Sequence, residues 1–360
     1  MSFEVKKGYL ALYYCFDIAE EITIEKIEKI FGNTPQKLSL QYSRLAPPYL
    51  QYREPPLFVS LGTRRIGDDH FACDAKIYDF GVVTIRLSLP IVHKDAETLV
   101  HWSKTYVENT VLEKFAREMV QHLKKEIGNA LIELHMPAEE YWENYAVFCF
   151  HELKQEIKGA DFLTKHRDVV ARLVKGEKEN LSTYEKDNAL KYFISYYEND
   201  IAIVDWNAAV VVDPQKGFEV LDVLEYAVIE LLELRAYDSF LDTVLDKAYD
   251  DLKKKRVKRR TLHTLSQVRL DIADVVEKVE NALKLIGDLY LAKVYQTASS
   301  RFYLEKWKQS VKQKLDTVES LYQVLYDRKQ SSRMMFLEVL MTLFFLIDLV
   351  FLFVQMFVLK

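Results

Sequence analysis

Hydrophobic and polar residues alternate along several stretches of the first 212 residues, and this alternation predicts β-strands at residues 8–16, 57–61, 71–78, 82–89 and 145–151. Residues 23–31 instead repeat apolar side chains at helical spacing, with Thr23 as a candidate cap. Longer helical patterns cover residues 95–134 and 161–174, and the Pro-rich residues 46–56 predict a loop. The pattern therefore predicts a mixed α/β region.

Residues 192–212 contain three β-rich runs, YFISYYE, IAIVD and AAVVVD. The turn residues Asn199-Asp200 and Trp206-Asn207 separate these runs. We expect a small antiparallel meander here.

After Pro214 the pattern becomes helical, and residues 217–326 contain one internal glycine and no proline. Three long antiparallel helices are predicted, at about residues 218–252, 259–290 and 299–329. The third carries apolar residues at the 4-4-3-4-3 spacing of a coiled-coil seam, namely Trp307, Val311, Leu315, Val318, Tyr322 and Leu325. Such a seam packs either inside the chain or between chains.

Residues 334–359 form a run that is almost entirely apolar around the helix, which is rare for the core helix of a soluble protein. As a helix this run would measure roughly 39 Å, enough to cross a hydrocarbon core of about 30 Å. Arg328, Lys329 and Arg333 precede it, while only Lys360 follows, so the positive-inside rule places the N-terminal part in the cytoplasm.

The predicted fold class is therefore α+β, in three parts. Residues 1–214 form a cytoplasmic α/β region, residues 215–330 form a long three-helix stalk, and residues 334–359 form one transmembrane helix. The expected location is the cell membrane, with the mitochondrial inner membrane, matrix-facing, as the alternative.

Seven of the eight residues from 253 to 260 are basic: Lys253, Lys254, Lys255, Arg256, Lys258, Arg259 and Arg260. This basic run is typical of a solvated turn, of contact with anionic lipid or of contact with nucleic acid. In an antiparallel three-helix stalk, the turn after the first helix lies at the same end as the end of the third. We therefore expect the basic run at the bilayer surface, with RNA as the alternative partner.

Polar residues interrupt the apolar run at Glu338, Asp348 and Gln355. Glu338 lies near the start of the run and can reach the interface beside Arg333. Asp348 lies near the middle, and Gln355 falls within about 20° of it on a helix, so both belong to one stripe. Homo-oligomerisation through this stripe is the preferred interpretation, and a different partner helix or a protonated Asp348 in lipid are the alternatives.

Composition narrows the remaining functions. With 10 glycines and 8 prolines in 360 residues, a many-stranded barrel or sandwich is disfavoured. The three cysteines are far apart and indicate a reducing compartment. The chain has no HExxH, P-loop, GxGxxG or GxSxG motif, so we expect no enzyme activity, no cofactor and no metal.

Three segments together resemble the "required for meiotic nuclear division" family of membrane-anchored proteins. They are YDFGVV from Tyr78, the meander YYENDIAIVDWNAAVVVD, and the segment LLELRAYDSFLD from Leu231; the entry to the apolar run, RMMFLE from Arg333, adds to them. The resemblance implies a membrane-anchored, oligomeric, non-enzymatic protein, here of the bacterial type because no mitochondrial presequence is visible. The layout also resembles CorA-type magnesium channels, but the second span and the Gly-Met-Asn signature are missing.

The sequence thus predicts an oligomeric scaffold or tether that presents an α/β domain at the membrane. One alternative is a channel or transporter-type oligomer in which Asp348 lines a pore. The other is a membrane-attached factor that binds RNA or the ribosome through the basic run.

Neutralising Lys253, Lys254, Lys255 and Arg256 should weaken the binding of a tail-deleted chain to anionic vesicles, because each basic residue contributes about 1 kcal/mol at such a surface. Vesicle co-sedimentation measures this. Unchanged binding would show that the basic run does not meet the membrane.

Overall fold

A computed structural model describes residues 3–31, 36–37, 56–132, 141–155, 158–214, 219–254 and 289–358. Of these, residues up to 236 together with residues 289–308 form a first compact unit, which contains all the described strands. Residues 237–254 and 309–358 form a second unit, which is helical. The predicted fold class, a mixed α/β region followed by helices and one apolar C-terminal helix, is confirmed.

The first unit is built on a nine-stranded sheet with the strand order β3-β4-β5-β6-β1-β8-β11-β10-β9. Neighbouring strands are antiparallel except β8 and β11, which are parallel. A separate two-stranded sheet pairs β2 with β7. The strands are β1 Glu4–Asp17, β2 Glu21–Ile22, β3 Gln36–Lys37, β4 Leu57–Ile66, β5 Asp69–Ile77, β6 Val82–Asp95, β7 Leu131–Ile132, β8 Trp142–Leu153, β9 Phe193–Ile194, β10 Ile201–Val204 and β11 Ala208–Val212.

Nine α-helices are described along the same ranges of the chain. They are α1 Ile24–Phe31, α2 Ala96–Tyr106, α3 Thr110–Glu126, α4 Gly159–Lys165, α5 Arg167–Lys175, α6 Thr183–Ala189, α7 Glu219–Lys254, α8 Leu289–Phe302 and α9 Leu304–Val358.

The first face of the large sheet is mostly apolar where it meets helices α2, α3 and α5, and Asn144, which donates to the Val107 carbonyl, is an exception. Strand β1 contributes Leu10, Leu12, Tyr14 and Phe16 to this face, and all four side chains are at most 2% exposed. Because successive strand residues point to opposite faces, the alternation read from the sequence fixes which side chains enter this core. Each fully buried Leu or Phe contributes about 1.5–3 kcal/mol to folding.

The second face of the sheet carries polar and ionisable side chains although it is also covered. Tyr13 of β1, Lys76 of β5 and Arg86 of β6 belong to it. Helix α7 packs over this face: Asp222 and Glu225 contact Lys76, and the rings of Tyr226 and Tyr78 lie 5.5 Å apart. The two faces of one sheet therefore bury chemically different surfaces.

The helix predicted over residues 95–134 is wrong as a single element. The structure divides it into α2 and α3, because the Asn109 side chain accepts hydrogen bonds from the backbone N–H groups of Val111 and Leu112, at 2.9 and 3.0 Å. An asparagine that caps these N–H groups starts a new helix. Asp95 caps α2 in the same way, and residues 131–132 form β7.

The strands predicted at residues 8–16, 57–61, 71–78, 82–89 and 145–151 are confirmed with longer or slightly shifted bounds. The antiparallel meander over residues 192–212 is also confirmed, as β9, β10 and β11. Its last strand pairs in parallel with β8, so the meander extends the large sheet instead of standing alone.

Gly81 is required by the turn between β5 and β6. Its φ of +100° lies in the left-handed region, and a Cβ atom there would be 1.7 Å from the carbonyl oxygen of Ala19. The turn is pressed against the end of β1, where Ile18 N–H donates to the Gly81 carbonyl at 3.0 Å.

Helix α7 agrees with the first of the three predicted long helices. The predicted second helix, residues 259–290, lies outside the described residues except for its last two, and the Pro-rich loop lies outside them except for Pro56. The prediction of a third helix over residues 299–329 is wrong at both ends. Tyr303, with a φ of +55°, separates α8 from α9, and α9 then continues without a break to Val358.

In the second unit the last part of α7 contacts α9. The Ser310 hydroxyl donates to Asp238 at 2.8 Å, and Lys314 Nζ lies 2.9 Å from Asp238 and 2.6 Å from Asp242. Val311 and Val318, two residues of the predicted seam, are buried. A coiled coil between chains stays a prediction.

Candidate functional site

The strongest concentration of buried charge in the described part of the chain lies between the sheet and α7. Lys76 Nζ of β5 is 2.5 Å from Asp222 Oδ1 and 2.6 Å from Glu225 Oε2. The Tyr78 hydroxyl donates to the other oxygen of Glu225, at 2.8 Å. One lysine thus bridges two carboxylates that lie three residues apart on α7, and we call these four residues the Lys76 cluster.

Burial makes the Lys76 cluster electrostatically strong. Lys76, Asp222, Glu225 and Tyr78 are all at most 5% exposed. Burial by itself lowers the pKa of Lys76, but the nearby carboxylates of Asp222 and Glu225 outweigh it and raise that pKa, so the lysine stays charged. Burial, together with the charge of Glu225, raises the pKa of Tyr78 well above its usual value, so this hydroxyl stays a donor.

A second row of side chains crosses the sheet beside the Lys76 cluster. Arg86 of β6 pairs in register with Asp74 on one side and with Tyr13 on the other, and Arg86 Nη2 donates to Asp74 Oδ2 at 2.9 Å. The Tyr13 hydroxyl is fully buried and has no hydrogen-bond partner among the described residues. Arg86 and Lys76 face three carboxylates here, and burial raises the pKa of one of them, Asp222, although Lys76 opposes this.

This arrangement fits a structural contact that fixes α7 on the sheet, which we call the latch, better than it fits a catalytic centre. A lysine held protonated by two carboxylates has no free electron pair, so it is not a nucleophile. The carboxylates of Asp222 and Glu225 already accept hydrogen bonds from Lys76 and Tyr78. Removing one partner of such a buried pair costs about 3–5 kcal/mol of folding free energy. The role of the Lys76 cluster is therefore structural, because it holds α7 in one position on the sheet.

A further buried ion pair ties α8 to the same unit. Asp205, at the end of the β10–β11 hairpin, is 1% exposed and pairs with Arg301 of α8; Lys175 of α5 lies 3.2 Å from its other oxygen. The Tyr145 hydroxyl donates to the Asp205 carbonyl at 2.9 Å, and the Tyr145 ring contacts Phe302 at 5.3 Å. The end of α8 is thus fixed by charge and by ring packing.

Two acids meet without a buried cation at the end of β1. Burial raises the pKa of Asp17 to about 7, although Lys124 opposes this. Glu233 of α7 is 3% exposed, and burial together with the charge of Asp17 raises its pKa well above the usual value. At neutral pH this acid pair therefore retains a proton.

No group of three or more His, Cys, Asp or Glu side chains that could hold a metal ion occurs in the described ranges. Cys15, Cys73 and Cys149 are buried and unbonded to one another. The prediction that the chain uses no metal and no cofactor stays a prediction.

The site residues predicted from the sequence lie elsewhere. Glu338, Asp348 and Gln355 are on α9, and their side chains are exposed. Met334–Gln355 forms the candidate membrane span, with a mean hydropathy of 2.5 and none of its most apolar window buried. Lys253 and Lys254 end α7, while Lys255, Arg256, Lys258, Arg259 and Arg260 lie outside the described residues.

The Lys76 cluster belongs to no known sequence motif, but the sequence does contain an indication of it. Asp222 and Glu225 interrupt the apolar spacing of α7 one turn apart, and Lys76 sits on an alternating strand between apolar neighbours. Ionisable residues on faces that are otherwise apolar mark a buried ionic contact. The partner of each could not be read from the sequence because the two segments are about 150 residues apart.

The similarity of this chain to known proteins covers mainly the residues that form the sheet. Residues 7–219 match the family model described as "Uncharacterized protein MJ0711, N-terminal domain". The chain is 26% identical over 190 residues to the uncharacterized protein MJ0711 of Methanocaldococcus jannaschii. That alignment covers 51% of this chain and 58% of the relative, so the chain spans little more than half of that protein. No solved structure matches the chain.

The substitution Lys76→Met should destabilise the fold by about 3–5 kcal/mol, because it leaves Asp222 and Glu225 buried without their cation. Adding Asp222→Asn and Glu225→Gln should recover part of this loss, since the two charges are then removed as well. Urea denaturation of the full chain in detergent measures both. The control is Lys6→Met, which breaks an exposed pair with Glu152 and should cost less than about 1 kcal/mol. Equal losses in the two single variants would contradict the latch.

Stability should fall as pH rises above about 4, because Asp17 and Glu233 hold protons in the folded protein that the unfolded chain releases near the usual carboxyl pKa. Glu233→Gln removes one acid, so the melting temperature should be higher at pH 8 and should change less between pH 5 and pH 8. Thermal unfolding at stepped pH measures this. Glu305→Gln, at an exposed glutamate, is the control. A parallel pH dependence of wild type and Glu233→Gln would contradict the shared proton.

Proposed function

The chain belongs to the MJ0711 N-terminal domain family, and on that premise we propose that it is a non-enzymatic, membrane-anchored oligomeric scaffold that presents this domain at a membrane surface. The family description names no activity, so the proposal rests on the geometry of this chain.

The observation that carries the proposal is the exposed apolar span of α9. Met334–Gln355 contains 22 residues, about 33 Å of helix, and none of its most apolar window is buried against the protein. Side chains such as Phe344 and Leu346 are more than half exposed. A surface this apolar is stable in a bilayer and prone to aggregation in water.

Packing of the start of α9 supports the scaffold part of the proposal. Helix α9 is 55 residues long, contains no proline and no glycine, and includes the whole span. At its start Leu304 is buried, and Lys308 Nζ lies 2.8 Å from the buried Glu230 of α7.

The stripe of Asp348 and Gln355 supports oligomerisation. A carboxyl group near the middle of a span is costly in lipid and is usually placed against a partner, a cavity or water. The same stripe from a second copy of α9 supplies hydrogen-bond partners for both side chains. We propose this homo-oligomeric contact, with Glu338 nearer the interface.

The proposed location is the cell membrane with the N-terminal part in the cytoplasm, as the basic residues before the span favour. In that arrangement the basic run contacts anionic lipid headgroups. The channel hypothesis, the ribosome hypothesis and the resemblance to the "required for meiotic nuclear division" family stay predictions.

Membrane anchoring is tested by alkaline extraction of membranes from cells that make the full chain. The wild type should stay in the membrane pellet and be released by detergent. Leu343→Arg with Leu346→Arg should move to the wash, because two central arginines cost about 5–7 kcal/mol of insertion. Val92→Arg with Val111→Arg, at exposed positions of the first unit, should not. A wild type that washes off would refute the anchor.

Oligomerisation through the stripe is tested by oxidative crosslinking in membranes. Leu352→Cys, which lies on the stripe one turn after Asp348, should give a crosslinked dimer, whereas Val350→Cys, about 160° away around the helix, should not. The three native cysteines are buried and give little background. Equal crosslinking at both positions, or none at Leu352→Cys, would remove the oligomer from the proposal while leaving the anchor in place.

A further inference from the structure

Aromatic side chains are exposed in two groups, one at the β9 edge of the sheet and one beside the end of α8. Phe193, Tyr196, Tyr197, Trp206 and Tyr303 form this aromatic patch, and they are between 38% and 53% exposed. All five belong to the first unit. Exposed aromatic residues scattered singly need no explanation, but a group of them marks a binding surface.

Ring contacts connect the aromatic patch to both ends of α8. The Tyr196 ring lies 4.9 Å from that of Tyr197 and 5.6 Å from that of Tyr290, near the start of α8. The Trp206 ring lies 6.1 Å from that of Phe302, at the end of α8, and 6.4 Å from that of Tyr303. Since α8 rises 1.5 Å per residue, the two groups are separated by roughly 18 Å along the helix.

The backbone holds these rings outward. The buried carboxylate of Asp200 accepts from the N–H groups of Tyr196 and Tyr197, at 2.7 and 3.1 Å, and the Ser195 hydroxyl donates to the Tyr197 carbonyl. Tyr303 is held in the left-handed region, and its carbonyl accepts from the N–H of Lys306. A rigid display of rings lowers the entropy lost on binding.

One cation lies at a ring of the aromatic patch, and a second lies at the ring of Tyr192, which precedes Phe193 in the chain. Lys306 Nζ is 4.6 Å from the centre of the Tyr303 ring, and Lys191 Nζ is 5.2 Å from that of Tyr192. The exposed acids nearby already have lysine partners: Glu198 is 2.7 Å from Lys158, and Glu305 is 3.4 Å from Lys308. Lys191 and Lys306 form no ion pair within the described residues, so their ammonium groups are available to phosphates.

From these observations we propose that the aromatic patch binds single-stranded nucleic acid, with bases stacked on its rings and phosphates at Lys191 and Lys306. Stacking surfaces of Tyr and Trp interleaved with cations are how proteins hold single strands without reading their sequence. This site is separate from the basic run, and it does not depend on the membrane anchor.

The test is fluorescence anisotropy of labelled oligonucleotides of roughly ten nucleotides, a length within known single-strand sites, with the full chain in detergent. Tyr196→Ala with Tyr197→Ala should weaken binding at least tenfold, while Tyr196→Phe with Tyr197→Phe, which keeps the rings, should retain it. Lys306→Gln should reduce the slope of log affinity against log salt by about 0.7. Tyr184→Ala, at a tyrosine that is 80% exposed on α6, is the matched control.

Parallel RNA and DNA oligomers separate the two sources of the ligand, and preference for either supports the site. A loss of binding only when Lys253, Lys254, Lys255 and Arg256 are neutralised would overturn the proposal in favour of the basic run. Unchanged affinity in the double alanine variant, an equal loss in Tyr184→Ala, or binding to lipid vesicles in place of oligonucleotides would also overturn it.

Discussion

A lysine buried between two carboxylates is the interaction on which the arrangement of the first unit depends. Lys76 is held on a strand of the sheet, and Asp222 and Glu225 lie one turn apart on α7. Hydrophobic contact alone would let a long apolar helix slide or rotate over a sheet, since such contact is not directional. The ionic contact permits one register only, because any shift would leave a charge buried without its partner.

The same contact explains why the two faces of the sheet differ. The first face meets short helices close to it in sequence and is filled by apolar side chains. The second face receives α7, which follows β11 but contacts β5 about 150 residues earlier in the chain, and polar groups specify that long-range contact. Two further ion pairs fix neighbouring elements in the same way. Arg86 pairs with Asp74 in the next row of the sheet, and Asp205 pairs with Arg301 of α8. The matched family region ends at residue 219, so the sheet half of the Lys76 cluster lies within it and the helix half lies just after it.

Much of this architecture was readable from local pattern. Strand alternation predicted β1, β5, β6 and β8, and the glycine-poor region predicted α7, because both signals act within a few residues. The cap at Asn109 was missed because helical spacing continues across it, and its side-chain bonds decide the break only in three dimensions. The break at Tyr303 was missed for a similar reason: the residues on both sides favour helix, and nothing local requires a left-handed tyrosine. The pairing of Lys76 with α7 is a long-range contact, and composition shows only that charges occur where apolar residues are expected.

Strand β1 lies in the middle of the large sheet, between β6 and β8, although it begins the described chain. Tyr13 stands opposite Arg86 on one side and opposite Tyr145 on the other, and that second pairing joins residues about 130 positions apart. During synthesis, β1 must therefore wait with one edge unpaired until β8 has been made, and β8 in turn waits for β11. Folding should be governed by slow, long-range closure of the sheet. The newly made chain has greatest need of protection by chaperones in this interval, when its central strand is still half paired.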